Sequence, residues 1–573
     1  MDFFKKLAVV SGLISLLIVG CSNESSSAKK NVGAPVGNAL CKVSGKNDIV
    51  VLFTNDVHCG VDEKIGYAGL AAYRDSLKTI TPNVLLADMG DAVQGNFWGT
   101  LSRGGFIVKL MNKVGYDVAV FGNHEFDYGM ERLAQLVDSS RMNYVVSNFS
   151  YIGKKENLFA KLSAYKVIEL PVAGRNIKVG FVGAVTPESY VSSTPKYFEE
   201  DGVLAYDLYE GDKRLVEVLQ KNIDLVKKDG ADYVILLAHL GVANASAPYR
   251  SIDIVHGLTG VDVVLDGHSH SVIPQDTVRD ANGKVVLLSS TGSKLENIGL
   301  MVIAENGSVC TKLVHDYASK NAEVAASVDS LKVEFDKLLN RVVAQSPASI
   351  EAVDANAVRL SRVAENGIGN LMADAFRHFM KSDVAFVNGG NVRANIPKGD
   401  VTYANILNIS PFGNKVISSK VKGSALRDAL EYSYRLMQTG KGRKQVVSNE
   451  VETGSFLQLS GIKVVVDGKT KSGVLRDSLG MFAGVDGKRK VLEVLIEKDG
   501  RYVPLDTAAE YLVASLDYLL ENRGDGYSMF DESVIVRRSG LTDAEVVVDY
   551  LQSELAGKIP ERYVKPEGRI RLQ

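Results

Sequence analysis

Five clusters of side chains suited to metal binding or proton transfer follow one another along the first half of the chain. They are Thr54-Asn55-Asp56-Val57-His58, Gly90-Asp91, Gly122-Asn123-His124-Glu125-Phe126-Asp127, His239, and Asp266-Gly267-His268-Ser269-His270. The sequence contains only 8 histidines, and those at 58, 124, 239, 268 and 270 all fall in these clusters. Phosphoester hydrolysis at neutral pH needs a strong nucleophile and neutralised phosphoryl oxygens. Two cations about 3.5–4 Å apart meet both needs, provided that one carboxylate bridges them and imidazole and amide ligands complete the set. Asp56 and His58 are spaced by two, as are His268 and His270, so on an extended strand end each pair projects to one side. Taken singly, Gly-Asp is a turn, His-X-His a surface turn and a lone histidine a core side chain. The ordered combination is specific where its parts are not.

The elements that must position these residues are legible around them. Apolar, β-branched runs at Ile49–Thr54, 84–87, 118–121, 179–182, 233–238, 261–265 and 285–288 read as strands, and a cluster follows most of them. Helical spacing occupies 67–78, 106–114, 130–137 and 213–228. Continuous apolar strands covered on both faces by helices predict an α/β layered domain with its site at the carboxyl ends of the strands. Val324, Val328, Leu331, Phe335, Leu338 and Val342 recur in steps of three and four, predicting an amphipathic helix that connects to a second, mixed half.

The ordered motifs resemble the calcineurin-like metallophosphoesterases, and more closely the bacterial and animal 5′-nucleotidases, over nearly the whole chain after residue 46. Gly122-Asn123-His124-Glu125-Phe126-Asp127 is a sharp marker of that branch. The resemblance implies a four-layer α/β domain (a β-sandwich flanked by helices) over 46–318, a connector helix over 319–344 and an α+β substrate-binding domain over 345–573. It assigns one divalent metal to Asp56, His58, Asp91 and His270, and a second to Asp91, Asn123, His239 and His268. These N/O ligands suit manganese, zinc, magnesium or a mixture. His124 is the expected catalytic group, oriented by Asp127.

The second half carries Asn388-Gly389-Gly390-Asn391-Val392-Arg393, Ser410-Pro411-Phe412-Gly413-Asn414 and Arg523-Gly524-Asp525-Gly526-Tyr527. By the same resemblance Arg393 contacts phosphate, Asn388 and Gly390 line the substrate, Phe412 is one face of a base clamp and Asp525 binds ribose. Arg359 and Arg362 are further phosphate candidates. The arginine that often precedes the acidic residue of the 365–371 motif is replaced by Ala364. An ungapped match puts Leu519 at the second stacking position with Tyr518 beside it, and the sequence leaves open which supplies the ring. The two halves imply a site at their interface, assembled by domain rotation about the connector.

At 573 residues the chain exceeds one core. Its 66 basic against 68 acidic residues offer no field for tracking a polynucleotide, and no obligate protein partner is evident. Lys5 and Lys6 precede an apolar stretch too short to span a membrane, ending Leu17-Ile18-Val19-Gly20-Cys21. This resembles a bacterial lipobox, implying that Cys21 is acylated, that 22–45 is a tether and that the protein is held outside the cytoplasm by lipid alone. Cys41, Cys59 and Cys310 then permit one disulfide whose pairing sequence does not decide. The expected activity is hydrolysis of nucleoside 5′-monophosphates for nucleotide salvage, with UDP-sugars or nucleoside di- and triphosphates as companion substrates. The rival readings are a 2′,3′-cyclic-nucleotide phosphodiesterase, a sulfur-ester hydrolase, an adhesin, and an inactive nucleotide-binding surface lipoprotein.

Overall fold

A computed structural model describes residues 41–355, 358–441 and 444–573. The expected signal segment, Cys21 and most of the tether lie outside the described residues. The predicted strands form, but they divide between two six-stranded sheets. In the first, Ile49–Thr54, Val84–Asp88, Val118–Ala119 and Asn143–Tyr144 run parallel. The hairpin Ile298–Ile303 and Val309–Val314 extends that sheet antiparallel. In the second, Tyr233–His239 lies parallel between Arg175–Val185 and Val263–Asp266, with Val285–Thr291 beyond.

Helices do not cover both faces of these strands, as the apolar runs had suggested. Successive side chains of a strand point to opposite faces. Ile235, Leu237, Val263 and Leu265 join the core shared with the first sheet, whereas Val234, Leu236 and Val264 pack with Leu215, Leu219, Ile223 and Val226 of the helix Asp212–Lys228. One face of the second sheet therefore meets a sheet and the other a helix. A continuous apolar run signals burial on both faces without saying what does the burying.

The Val118–Ala119 strand is shorter than expected, because the chain turns at once into the Gly122–Asp127 cluster. Cys41 is joined to Cys310, with their Cα atoms 5.6 Å apart, which ties the chain ahead of the first strand to the outer hairpin. Cys59 is buried and free.

The connector helix spans Ala322–Leu339 and is capped by Asn321, whose side-chain oxygen accepts from the backbone N–H groups of Glu323 and Val324. Val324 and Val328 are buried, and Phe335 meets Trp98 and Phe106 at ring distances of 6.3 and 5.8 Å. The apolar stripe ends earlier than its spacing predicts. Leu338 is 41% exposed, and Val342 belongs to the strand Val342–Ser346, paired with Gly399–Thr402. Beyond it, Gly367–Met380 packs on a five-stranded sheet containing Val384–Asn388 and Glu510–Leu516. A four-stranded sheet, Ile462–Val466 among its strands, completes this half.

Gly183 marks how closely the two halves of the sandwich approach. A Cβ there would lie 1.8 Å from the Val145 carbonyl oxygen and 3.1 Å from a Val120 methyl. Gly183→Ala is expected to cost about 1–3 kcal/mol or more by overpacking. Denaturant unfolding should show a lower midpoint, and an unchanged one would mean that the sheets separate freely.

Candidate active site

The clusters converge at the carboxyl ends of the parallel strands of both sheets. Asp56 and Asp91 are fully or almost fully buried, as are His58, Asn123 and His239. The Nε2 atoms of His58 and His270 face each other at 3.0 Å; His270 Nε2 lies 3.5 Å from Asp56, and His58 Nε2 lies 3.7 Å from Asp91. On the other side of Asp91, His239 Nε2 approaches its carboxylate at 3.2 Å. The Asn123 side-chain oxygen sits 3.3 Å from that His239 nitrogen and 2.9 Å from His268 Nδ1. All seven predicted ligands are thus brought together, as two groups meeting at Asp91.

The spacing argument for Asp56 and His58 does not survive. Both are left-handed rather than extended: Asp56, His58, Asp91, His268 and His270 have φ of 51, 44, 58, 75 and 53°. Each such residue costs about 1–2 kcal/mol. Hydrogen bonds hold them there. Asp56 N–H donates to the Gly90 carbonyl (3.0 Å), His58 N–H to that of Asp91 (2.8 Å), and His268 N–H to both Asp56 oxygens (3.0–3.1 Å).

Three residues without an assigned role in the sequence reading build this frame. Glu125 accepts the backbone N–H groups of Asp91, Ala92 and Gly122 at 2.7, 2.9 and 2.6 Å, locking two ligand loops together. Asn55 donates to Asp56 (2.7 Å) and to the Gly292 carbonyl (2.8 Å). Asp266 accepts from Leu240, Gly241 and Gly267. Each stands inside a quoted cluster, and only their buried environments distinguish them.

Burial raises Asp56 well above the ordinary carboxylate range and pushes His58 and His270 well below the imidazole range. Burial alone would lower His239 too, but the adjoining Asp91 more than offsets it and lifts the imidazole to about 10. His58 and His239 each donate Nδ1–H to a carbonyl, of Gln94 and Met89, which leaves Nε2 as the ligating atom. Two buried carboxylates with imidazole lone pairs and an amide oxygen converging on them fit a pair of divalent cations.

His124 lies beside this centre, its N–H on Asp91 (2.8 Å) and its Nδ1 on Asp127 (2.6 Å). Its ring is 5.8 Å from Phe412 of the other half, over which the Arg393 guanidinium sits at 5.7 Å. Arg393 is lowered to about 10 by burial and by the neighbouring Arg359. Arg362 is half-buried with its enclosed Nε unpartnered, whereas Arg359 is held by Glu452 (2.5 Å). Asn388 donates to Asp525 (2.7 Å) and keeps an unpartnered buried oxygen; Gly390 is tied through its N–H to Gly454 (2.9 Å). Leu519 is enclosed in the core, whereas Tyr518 is half-buried beside Asp525.

The family model for calcineurin-like phosphoesterases matches 49–272, and that for the 5′-nucleotidase C-terminal domain matches 342–532. The chain thus joins a calcineurin-like phosphoesterase domain to a 5′-nucleotidase C-terminal domain. It is a metal-dependent phosphoester hydrolase. Human 5′-nucleotidase is 27% identical over 94% of this chain and 93% of its own. The trifunctional nucleotide phosphoesterase YfkN of Bacillus subtilis is 25% identical over 91% of this chain, which spans only 35% of that longer protein. A 5′-nucleotidase precursor structure from Thermus thermophilus superposes with a TM-score of 0.73 at 24% identity, covering 92% of this chain and 99% of that one. At that identity the likeness speaks for the fold. Among the described residues no helix is long and apolar enough to cross a membrane.

Two measurements test this centre. Glu125→Gln should weaken manganese binding about 10–100-fold in a metal titration, since Glu125 holds the loops that carry Asp91 and Asn123. With His239 lifted to about 10, metal must displace its proton at neutral pH. Manganese affinity should therefore rise with pH, and calorimetry in buffers of different ionisation enthalpy should detect proton release.

Proposed function

We propose that this protein hydrolyses nucleoside 5′-monophosphates to nucleoside and phosphate, with UDP-sugars and nucleoside di- or triphosphates as further substrates. The observation that carries the reading is the meeting of the His124–Asp127 pair, at the metal-ligand centre, with Phe412 and Arg393 from the other half. Asp56, His58, Asp91 and His270 would hold one divalent cation, and Asp91, Asn123, His239 and His268 the other. When bound, the cations supply an activated water and offset charge on the phosphoryl oxygens. Everything else falls to the chain's own groups. Asp127 fixes the Nδ1 side of His124, leaving Nε2 to stabilise the transferring phosphoryl group and assist the departing oxygen.

Arg393, Arg362 and Arg359 repel one another, which a phosphate chain between them would relieve. Phe412 stacks on the base, Asp525 takes the ribose hydroxyls, and Asn388 and Gly390 line that end. The name of the Bacillus relative, a trifunctional nucleotide phosphoesterase, supports a range wider than monophosphates and keeps 2′,3′-cyclic nucleotides as the second reading. In our reading the metallophosphoesterase domain covers 46–318 and the substrate domain 345–573, with rotation about 319–344. Lipid on Cys21 and a tether over 22–45 hold both outside the cytoplasm.

The metal-loaded protein should form product from AMP faster than from 2′,3′-cyclic AMP or a sulfur ester. His124→Ala should lower AMP turnover about 10²–10⁴-fold. Preference for the cyclic or sulfur substrate would overturn the substrate assignment, and full activity in the variant would overturn the role of His124.

A further inference from the structure

A short segment of the first domain, Glu188–Glu199, touches both the catalytic pair and the second domain's recognition turn. Its Ser193 hydroxyl donates to Asp127 Oδ1 at 3.1 Å, on the carboxylate oxygen that His124 does not use. The adjoining Ser192 carbonyl accepts the Tyr518 hydroxyl of the second domain at 3.0 Å. That hydroxyl in turn accepts the backbone N–H of Asp525 at 3.0 Å. Six residues after Ser193, Glu199 forms a partly buried ion pair with Arg523, immediately before the Gly524-Asp525-Gly526 turn. Glu199 is anchored within its own domain by the Tyr190 hydroxyl (2.6 Å). Arg523 and Asp525 are both left-handed, with φ of 60 and 54°, so the turn relies on such external ties for its shape.

Tyr518 is therefore fully engaged. Its hydroxyl bridges Asp525 to Ser192, and its ring lies against Gly524, where a Cβ would meet ring carbons at 2.2–2.4 Å. A side chain kept only to stack on a base would have no need of either contact.

We propose that Ser193 is a positioning residue for Asp127, and that the second domain sets Ser193 by docking Tyr518 and Arg523 onto the same segment. Docking of the recognition turn and orientation of the catalytic pair are then one event. The chemistry is ready only when the domain that reads the nucleoside is seated. Ser193 removes one of the two side-chain bonds holding the carboxylate if it is lost, while the Tyr518 hydroxyl acts through Ser192 one peptide away. The inference rests on the assignment of His124 and Asp127 given above.

The test is a double-mutant cycle with Ser193→Ala and Tyr518→Phe in the full metal-loaded protein. AMP and bis(p-nitrophenyl) phosphate serve in parallel, with His124→Ala as control and thermal unfolding of every variant. Ser193→Ala should lower kcat about tenfold on both substrates with little change in KM, and Ser193→Thr should restore it. Tyr518→Phe should also lower kcat on both, and the double variant should be no slower than Ser193→Ala alone. Effects that multiply, or a Tyr518→Phe change confined to KM for AMP, would overturn the relay. Full activity in His124→Ala would overturn the role of His124 and the relay with it, whereas turnover of the diester without AMP would fault only the substrate proposed above, and the diester arm would then decide the relay.

Discussion

Asp56 and Asp91 sit in the interior, at the seam where the ends of two sheets meet, and much of the surrounding structure answers to that burial. An ionised carboxylate removed from water costs several kcal/mol unless charge and hydrogen bonds replace the solvent. Here the replacement is layered. Backbone N–H groups of His124 and His268 reach the two carboxylates directly, imidazoles surround them, and divalent cations held by this set would supply the remaining countercharge. Five ligand positions share a left-handed backbone, and at His268 the main-chain N–H is thereby set onto the Asp56 carboxylate. Glu125, itself a buried carboxylate satisfied by four backbone N–H groups, fixes one ligand loop against another. The sandwich thus stabilises a site that would not persist on a single loop.

The second half contributes cations and surfaces rather than ligands. Arg393 and Phe412 reach the metal centre, while Tyr518, Arg523 and Asp525 dock on the far side of the His124–Asp127 pair. Further contacts close the same seam, among them the Thr100 hydroxyl on the Pro411 carbonyl at 2.6 Å. Burial and Arg359 lower the proton affinity of the neighbouring Arg362 and Arg393, a cluster of guanidinium groups suited to a phosphate-bearing ligand. Specificity and chemistry therefore depend on one interface, and the helix Ala322–Leu339, packed on the first half through Val324, Val328 and Phe335, carries the chain across it.

Which residues would do chemistry was legible in the sequence, because ligands must be particular side-chain types and must follow strands, and both properties are local. The clusters containing the seven candidate ligands and the His124–Asp127 pair, the strand cores and the main helices show in residue type and periodicity, whereas the role given to each residue came from the resemblance to the 5′-nucleotidases. Other features depend on partners distant in the chain, and local pattern is silent there. Apolar runs could not say whether a helix or a second sheet lay across from them. The period-two argument set Asp56 beside His58, where the structure also has them, but through an extended backbone that neither residue adopts. Cys41 found Cys310 only because the outer hairpin carries it past the first strand. Leu519 and Tyr518, adjacent and both apolar in bulk, were separated by the fold alone: one points into the core, and the other spends its hydroxyl on Ser192 and Asp525. Sequence determined the chemistry on offer; tertiary structure decided how it is held, because buried charge and domain contact are satisfied by neighbours in space, not in sequence.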